Sequence, residues 1–366
     1  MATANPAPPD QKRIAETVRN RLPSRAALVN LTPLAGDASN RRYFRLHLEG
    51  GRSVILMQLA SPEAFKQSEE AVTGTAAITE LPFINVLRQL QSVGLPVPAL
   101  YHYDEAGGLL YLEDLGDTTL AEAAQKGSSE ITRALYCEAI EVLARMHRQP
   151  VDTSKGWLAY TRGFDVPLLM WEFDHFLEYG VVARHGQPMA PDDARIVQET
   201  FERMAHAIAA APRVFTHRDY HSRNLMVRSG TSRSSVAASS ALGVIDFQDA
   251  LLGPRTYDLA SLLRDAYIAL DETLVDELIA LYIDRSGDRA LGAGAAGFRR
   301  LFDLTSIQRN LKAAGRFVYI DRVKGNPKFL ADIPRVLGYV RRNLEKYPEL
   351  APLRRHLVPY VPELQS

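Results

Sequence analysis

Short strand-like runs flank two clusters of polar side chains, and this placement restricts the fold more than any other feature of the sequence. Arg213-Val214-Phe215 and Leu225-Met226-Val227 enclose His217-Arg218-Asp219 and, five residues past the aspartate, Asn224. Gly243-Val244-Ile245 then leads directly into Asp246-Phe247. Side chains at the ends of short apolar strands belong on loops that a rigid scaffold holds in place. Together the clusters supply one proton acceptor, Asp219, and two hard-oxygen ligands, Asn224 and Asp246. In this order they are the parts that phosphoryl transfer from a magnesium-bound nucleotide requires. A chance capped turn is the alternative for the first cluster, and the second cluster in the right order argues against it.

Composition narrows the ligands. The 366 residues suffice for a large core divided between two lobes or domains. Lys plus Arg and Asp plus Glu both number 43, so no global basic field exists to hold nucleic acid or an anionic membrane. A nucleotide must then be held locally, by metal and backbone amides. Cys137 is the only cysteine, which excludes an intrachain disulfide and a cysteine zinc site; its amphipathic surroundings suit a small core residue. The first residues lack an apolar segment fit for a signal peptide, and no apolar run is long enough to span a bilayer. A cytoplasmic location is expected.

The pattern divides in two. Residues 1–9 form a proline-rich tail. Gln11 to Leu22 reads as a helix with Ile14, Val18 and Leu22 on one face. Tyr43–Leu48 and Ser53–Met57 make a hairpin around Glu49-Gly50-Gly51-Arg52. A helix follows from about Pro82 to Val93, then strands near Ala99–Tyr103 and Leu109–Leu112. From Asp114 the chain turns helical, with helices near Glu130–Arg148, Pro167–Tyr179, Asp192–Ala210, Tyr257–Leu270 and Glu272–Arg285, and more beyond Phe298. The expected class is α+β: a small antiparallel sheet lobe over residues 10–113 and a larger helical lobe over residues 114–366. Gly230–Ser240 reads as a low-complexity surface loop.

With these elements in view the chain resembles the aminoglycoside/choline phosphotransferase superfamily, a protein kinase-like group. More closely it resembles the bacterial anomeric N-acetylmuramate/N-acetylglucosamine kinases of cell-wall recycling. The resemblance rests on Gly36–Arg45, Leu110–Asp117, His217–Leu225, Val244–Ala250, Gly253–Leu262 and Gln308-Arg309-Asn310-Leu311-Lys312. It implies that Asp219 takes the proton of a sugar hydroxyl and that Asn224 and Asp246 coordinate Mg²⁺, with Asp249 nearby. His217 and Arg218 would brace the catalytic loop, and Asp258 would anchor it as a structural residue. Gly36, Ser39, Asn40 and Arg41 belong to a phosphate-covering loop between the first two strands, and Glu113 and Leu115 to a hinge whose backbone reads the adenine of ATP.

One departure stands out. Where Val-Ala-Ile-Lys is expected, the chain reads Val54-Ile55-Leu56-Met57-Gln58, without the lysine. Arg41, Arg42 and, more weakly, Lys66 are the candidate replacements, against the alternative of solvated loop cations. For the sugar, Glu172 is the expected hydroxyl acceptor. Arg223 would meet phosphate charge or the lactyl carboxylate of N-acetylmuramate, or brace the catalytic loop. The implied reaction is direct in-line transfer to the C1 hydroxyl of a small sugar, with no protein, membrane or nucleic-acid partner indicated. Kinases of aminoglycosides, choline or other alcohols, and a non-catalytic nucleotide-binding scaffold, are the alternatives.

Overall fold

The computed structural model describes residues 9–34, 41–60, 80–228 and 240–365. Helix α1 (Gln11–Arg21) starts at Asp10, whose carboxylate caps the amides of Lys12 and Arg13, and buries Ile14 and Val18 as their spacing predicts. It packs on an antiparallel five-stranded sheet of β1 (Leu28–Leu34), β2 (Arg41–Leu48), β3 (Ser53–Leu59), β4 (Leu100–Asp104) and β5 (Leu109–Glu113), ordered β1-β2-β3-β5-β4. Gly50 and Gly51 both adopt positive φ (81° and 75°), the conformation that a tight hairpin requires. Strand β1 has no range in the sequence reading. It is an edge strand, Leu-Val-Asn-Leu-Thr-Pro-Leu, whose Val29 is exposed and whose Pro33 interrupts the β pattern.

Alternation along the strands gives the sheet two faces. Phe44, Leu46, Leu56, Val54 and Tyr111 close against α1. Met57, Leu59, Leu110 and Leu112 face the other way, into a core shared with the helical lobe. Helix α2 (Pro82–Ser92), with proline at its start, joins that core, and its Phe83 ring lies 5.0 Å from Phe247.

Beyond Glu113 the chain is mainly helical: α3 (Leu120–Lys126), α4 (Ser129–His147), α5 (Val166–His175), α6 (Pro191–Ala209), α7 (Arg255–Leu263), α8 (Glu272–Arg285), α9 (Arg289–Ala293), α10 (Ala295–Lys324), α11 (Ile333–Lys346) and α12 (Ala351–Leu357). This is the expected two-lobed α+β kinase-like architecture. Two helices end earlier than their patterns suggest. After His175 the backbone widens into π-type turns over Phe176–Ala183. After Leu263 it leaves the helix, which brings Asp265 and Tyr267 to Ser222 and His221. Cys137 is partly buried on α4. No helix among the described residues is long and apolar enough to cross a membrane.

The 30-residue α10 is the longest helix and crosses the lobe against α5, α7, α11 and the π turns. It approaches the π turns closely because Gly315 lacks a side chain: a Cβ there would lie 2.7 Å from the Phe176 Cα. Gly315→Ala is therefore expected to destabilise the protein by about 1–3 kcal/mol through overpacking. Gly338 on α11 has open space around its Cβ position, so Gly338→Ala should stabilise by about 0.5–1 kcal/mol through helix propensity. Urea unfolding of the two variants checks the contrast, and equal shifts would show that the close approach carries no strain.

Candidate active site

Two small ribbons form the floor of the site. Strand β6 (Arg213–Thr216) pairs with β9 (Leu251–Pro254), and β7 (Leu225–Val227) pairs with β8 (Leu242–Val244). The loop 217–224 thus crosses from one ribbon to the other, and the loop 245–250 crosses back beside it. Three hydrogen bonds fasten the loops: His217 Nε2 to the Ile245 carbonyl at 3.0 Å, the Ile245 amide to the Asn224 carbonyl at 3.0 Å, and the Asp219 amide to His217 Nδ1 at 3.3 Å. The first and third contacts, an acceptor at Nε2 and a donor at Nδ1, assign the imidazole proton to Nε2.

The loop 217–224 also needs an unusual backbone. Arg218 sits at φ 76°, a left-handed conformation rare for a side chain of this size. The fully buried Asp258 carboxylate holds it there, accepting the amides of His217 at 2.7 Å and Arg218 at 3.0 Å. Ser261 Oγ donates to the Arg218 carbonyl at 3.2 Å, and the Tyr220 hydroxyl donates to Ala139 at 2.8 Å. Asp258 is a structural anchor in this geometry.

Asn224 Nδ2 donates to the Asp219 carbonyl at 3.0 Å and lies 3.5 Å from Asp246 Oδ2. Its amide oxygen is left for another partner. Asp246 is itself left-handed (φ 63°), and its carboxylate is 43% exposed. Gln248 Nε2 bridges Asp246 and Asp249 at 3.0 and 3.1 Å. An amide oxygen and an accessible carboxylate side by side suit a hard divalent cation. No cluster of three His, Cys, Asp or Glu side chains forms a metal cage among the described residues, so such a cation would complete its shell with water and phosphate oxygens.

Asp219 is about half exposed (46%). Burial works against its charge, but Lys312, His221, Arg309 and Arg218 outweigh that and hold its carboxyl well below the usual range. Arg309 Nη2 lies 3.6 Å from Asp219 Oδ1. His221 shifts in the same direction from a different cause: burial lowers its pKa. Arg309 and Lys312 come from α10, whose Gln308-to-Lys312 segment the sequence marks only as part of a resemblance. The available signal is a run of polar residues where a core stripe is due: Asp303, Thr305, Ser306, Gln308 and Asn310 are all buried.

Glu172 needs a correction. Expected to meet a sugar hydroxyl, it is fully buried beneath the site. Its Oε1 receives Lys312 Nζ at 2.8 Å and Arg218 Nη2 at 3.4 Å, and its Oε2 receives Gln308 Nε2 at 2.7 Å and the Tyr257 hydroxyl at 3.4 Å. Burial and the Glu172 charge push Tyr257 up to about 12. A buried carboxylate surrounded by donors has no accessible face for a hydroxyl; in this arrangement Glu172 positions Lys312 and Arg218.

The two loop arginines separate by strand parity. Arg41, Tyr43 and Arg45 stand opposite Leu59, Met57 and Ile55, on the face toward the helical lobe, whereas Arg42 stands opposite Gln58 on the far face. Arg41 Nη2 lies 3.6 Å from Asp246 Oδ1, while Arg42 bonds Gln58 and lies over Phe44. Gly36, Ser39, Asn40 and Lys66 lie outside the described residues, as do positions 1–8 and 230–239. At the hinge, Glu113 is tied inward, its amide to Ala99 and its carboxylate to the Ala99 amide and Arg228. The Leu115 side chain covers Gly243, where a Cβ would come within 2.7 Å of Leu115 Cδ1. Arg45 locks the segment by donating to Asp114 at 2.6 Å and pairing with Asp117 at 2.7 Å.

Glu172→Ala leaves Lys312 and Arg218 buried without their shared acceptor. A loss of about 3–5 kcal/mol in unfolding free energy is expected, the cost of breaking rather than replacing a buried ion pair. Denaturation of the variant measures it; a change below about 1 kcal/mol would mean the carboxylate is not the node that its contacts describe.

Comparison with known proteins places the chain in a family. A family model described as "Phosphotransferase enzyme family" matches residues 30–294. A protein of Neisseria meningitidis serogroup B named N-acetylmuramate/N-acetylglucosamine kinase is 34% identical over 335 residues, 91% of each chain. A Pseudomonas putida protein of the same name is 30% identical, covering 88% of this chain and 86% of its own. Among solved structures, a choline/ethanolamine kinase family protein from Mesorhizobium loti superposes with a TM-score of 0.57 at 16% identity, covering 96% of this chain and 99% of that one. The likeness to that structure is one of fold. With the family match over most of its length, this chain belongs to the phosphotransferase enzyme family.

Proposed function

We propose that this protein is an ATP-dependent sugar 1-kinase that phosphorylates the anomeric hydroxyl of N-acetylmuramate and N-acetylglucosamine, the substrates named for its relatives. The observation that carries the substrate reading is the charge around Asp219. Its neighbours Lys312, Arg309 and Arg218 are cations, and Arg41 faces the metal-ligand position. Such surroundings repel the polycationic aminoglycosides and choline and suit a neutral or acidic sugar.

Asp219 is placed to accept the proton of the anomeric hydroxyl as the sugar oxygen bonds to the γ-phosphorus and the bond to the β-phosphate oxygen breaks, releasing ADP. A carboxylate with a depressed pKa is a weak base. That suffices here, because the anomeric hydroxyl is more acidic than an ordinary alcohol and the loose transition state demands little charge on the nucleophile. Held by Asn224 and Asp246, Mg²⁺ would draw charge from the phosphate oxygens of the nucleotide. Glu113 and Leu115 place the adenine by backbone contacts, and Arg41 takes the place of the missing strand lysine at the phosphates. Gly36, Ser39 and Asn40 would contribute through the covering loop.

³¹P NMR with ATP, Mg²⁺ and, in turn, N-acetylmuramate, N-acetylglucosamine, glucose, choline or kanamycin tests the reading. A sugar 1-phosphate resonance from the two amino sugars is expected, with Asp219→Ala lowering the rate by roughly 10²–10⁴. Turnover of choline or kanamycin alone would overturn the substrate assignment.

The two arginines give a second test. Arg41→Ala should raise the KM for ATP roughly tenfold or more, the scale of a lost charge-assisted contact. Arg42→Ala, on the far face of the sheet, should change it by about twofold or less. Equal effects would remove Arg41 from the nucleotide site.

A further inference from the structure

The cations near Asp219 differ in what already holds them. Arg218 and Lys312 are gripped by Glu172, and Arg309 lies against Asp219 while donating to the Arg218 carbonyl at 3.4 Å. Arg223 sits in the same catalytic loop, between Asp219 and Asn224, and is only partly buried. Its guanidinium carbon rests 3.5 Å from the centroid of the Tyr267 ring and 5.9 Å from that of Phe329. Among the described residues no carboxylate or carbonyl pairs with it. The 3.5 Å separation is a stacking distance, and a guanidinium stacked on a ring directs its N–H donors outward in its own plane, where they can receive a carboxylate through two parallel bonds.

The ring beneath it is fixed. The Tyr267 amide donates to Asp265 Oδ1 at 2.8 Å, while Asp265 Oδ2 accepts the Ser222 amide, also at 2.8 Å. One buried carboxylate thereby ties the Tyr267 segment to the residue preceding Arg223. The His221 ring meets Tyr267 edge-on at 5.3 Å. Early termination of α7 serves this arrangement, since a continued helix would carry Asp265 and Tyr267 away from the loop.

The two sugars of the proposed reaction share a ring and differ by one charged group. N-acetylmuramate carries a lactyl ether on O3, two ring carbons from the anomeric centre, and N-acetylglucosamine has a free hydroxyl there. A receptor for that carboxylate must therefore lie beside the base rather than on it, as Arg223 does. We propose that the Arg223 guanidinium, laid on the Tyr267 ring, receives the carboxylate of the acidic sugar and so sets the preference between acidic and neutral amino sugars. The assignment rests on the function proposed above and adds a specificity-determining residue to it.

The test is the ratio of kcat/KM for N-acetylmuramate to that for N-acetylglucosamine, measured at saturating ATP and Mg²⁺. Arg223→Gln should lower the ratio roughly tenfold to a hundredfold, the range of a charge-assisted hydrogen bond. Arg223→Lys keeps the charge without the fork and should fall between. In the wild-type protein the ratio should decline with added salt, as an exposed ion pair does. An unchanged ratio in both variants, or an equal loss on both sugars together with a raised KM for ATP, would overturn the assignment and give Arg223 to the phosphates or to the loop. If the wild-type protein phosphorylates neither sugar, the proposed function itself fails; if it phosphorylates both and the ratio ignores Arg223, only the receptor fails.

Discussion

A single sealed carboxylate sets the geometry on which the site depends. Asp258, in the first turn of α7, accepts the amides of His217 and Arg218 and so fixes two successive peptide units. Without it the left-handed Arg218 would relax, since such a conformation costs on the order of 1–3 kcal/mol and persists only where the surroundings enforce it. His147, also buried, approaches the same carboxylate at 3.4 Å and receives or donates a 2.7 Å bond with Tyr282. Asp219 follows directly, pointed into the cleft by a turn whose amides are already committed. The loop 245–250 inherits the same frame through the bonds of His217 and Asn224 to Ile245.

A second buried carboxylate organises charge rather than backbone. Glu172 gathers Arg218 from the catalytic loop, Lys312 and Gln308 from α10, and Tyr257 from α7. Its own charge is neutralised locally, and Asp219 is left beside cations that outweigh its burial. Those cations hold Asp219 ionised. Even charge over the whole chain gives no hint of it, because the cationic side chains converge from two elements nearly a hundred residues apart.

The parts of this account legible in the sequence are those set by local periodicity or by chemistry within a few residues. Ile14, Val18 and Leu22 share a helical face, Gly50-Gly51 turns a hairpin, and the polar clusters after β6 and β8 fall on loops. Strand β1 was less visible because an edge strand with a proline has no clean alternation. Residues whose role depends on a distant partner were misjudged or missed. Glu172 lies on an amphipathic helix, and periodicity does not reveal that four donors from elsewhere surround it. Arg309, Lys312, Asp265 and Tyr267 carried no local signal of their proximity to Asp219. Arg41 and Arg42 are an intermediate case: the alternation of β2 separates them once its register against β3 is known.

The most direct test of the account is the pH dependence of kcat/KM for the neutral sugar N-acetylglucosamine, in the wild-type protein and in Lys312→Met. The depressed pKa of Asp219 keeps it a carboxylate as pH falls through the ordinary carboxylate range near 4. The wild-type acid limb from this group should therefore lie below that range. Removing the Lys312 cation should move the limb upward while the alkaline side stays in place. Coincident acid limbs in the two proteins would contradict the claim that α10 holds the catalytic carboxylate ionised.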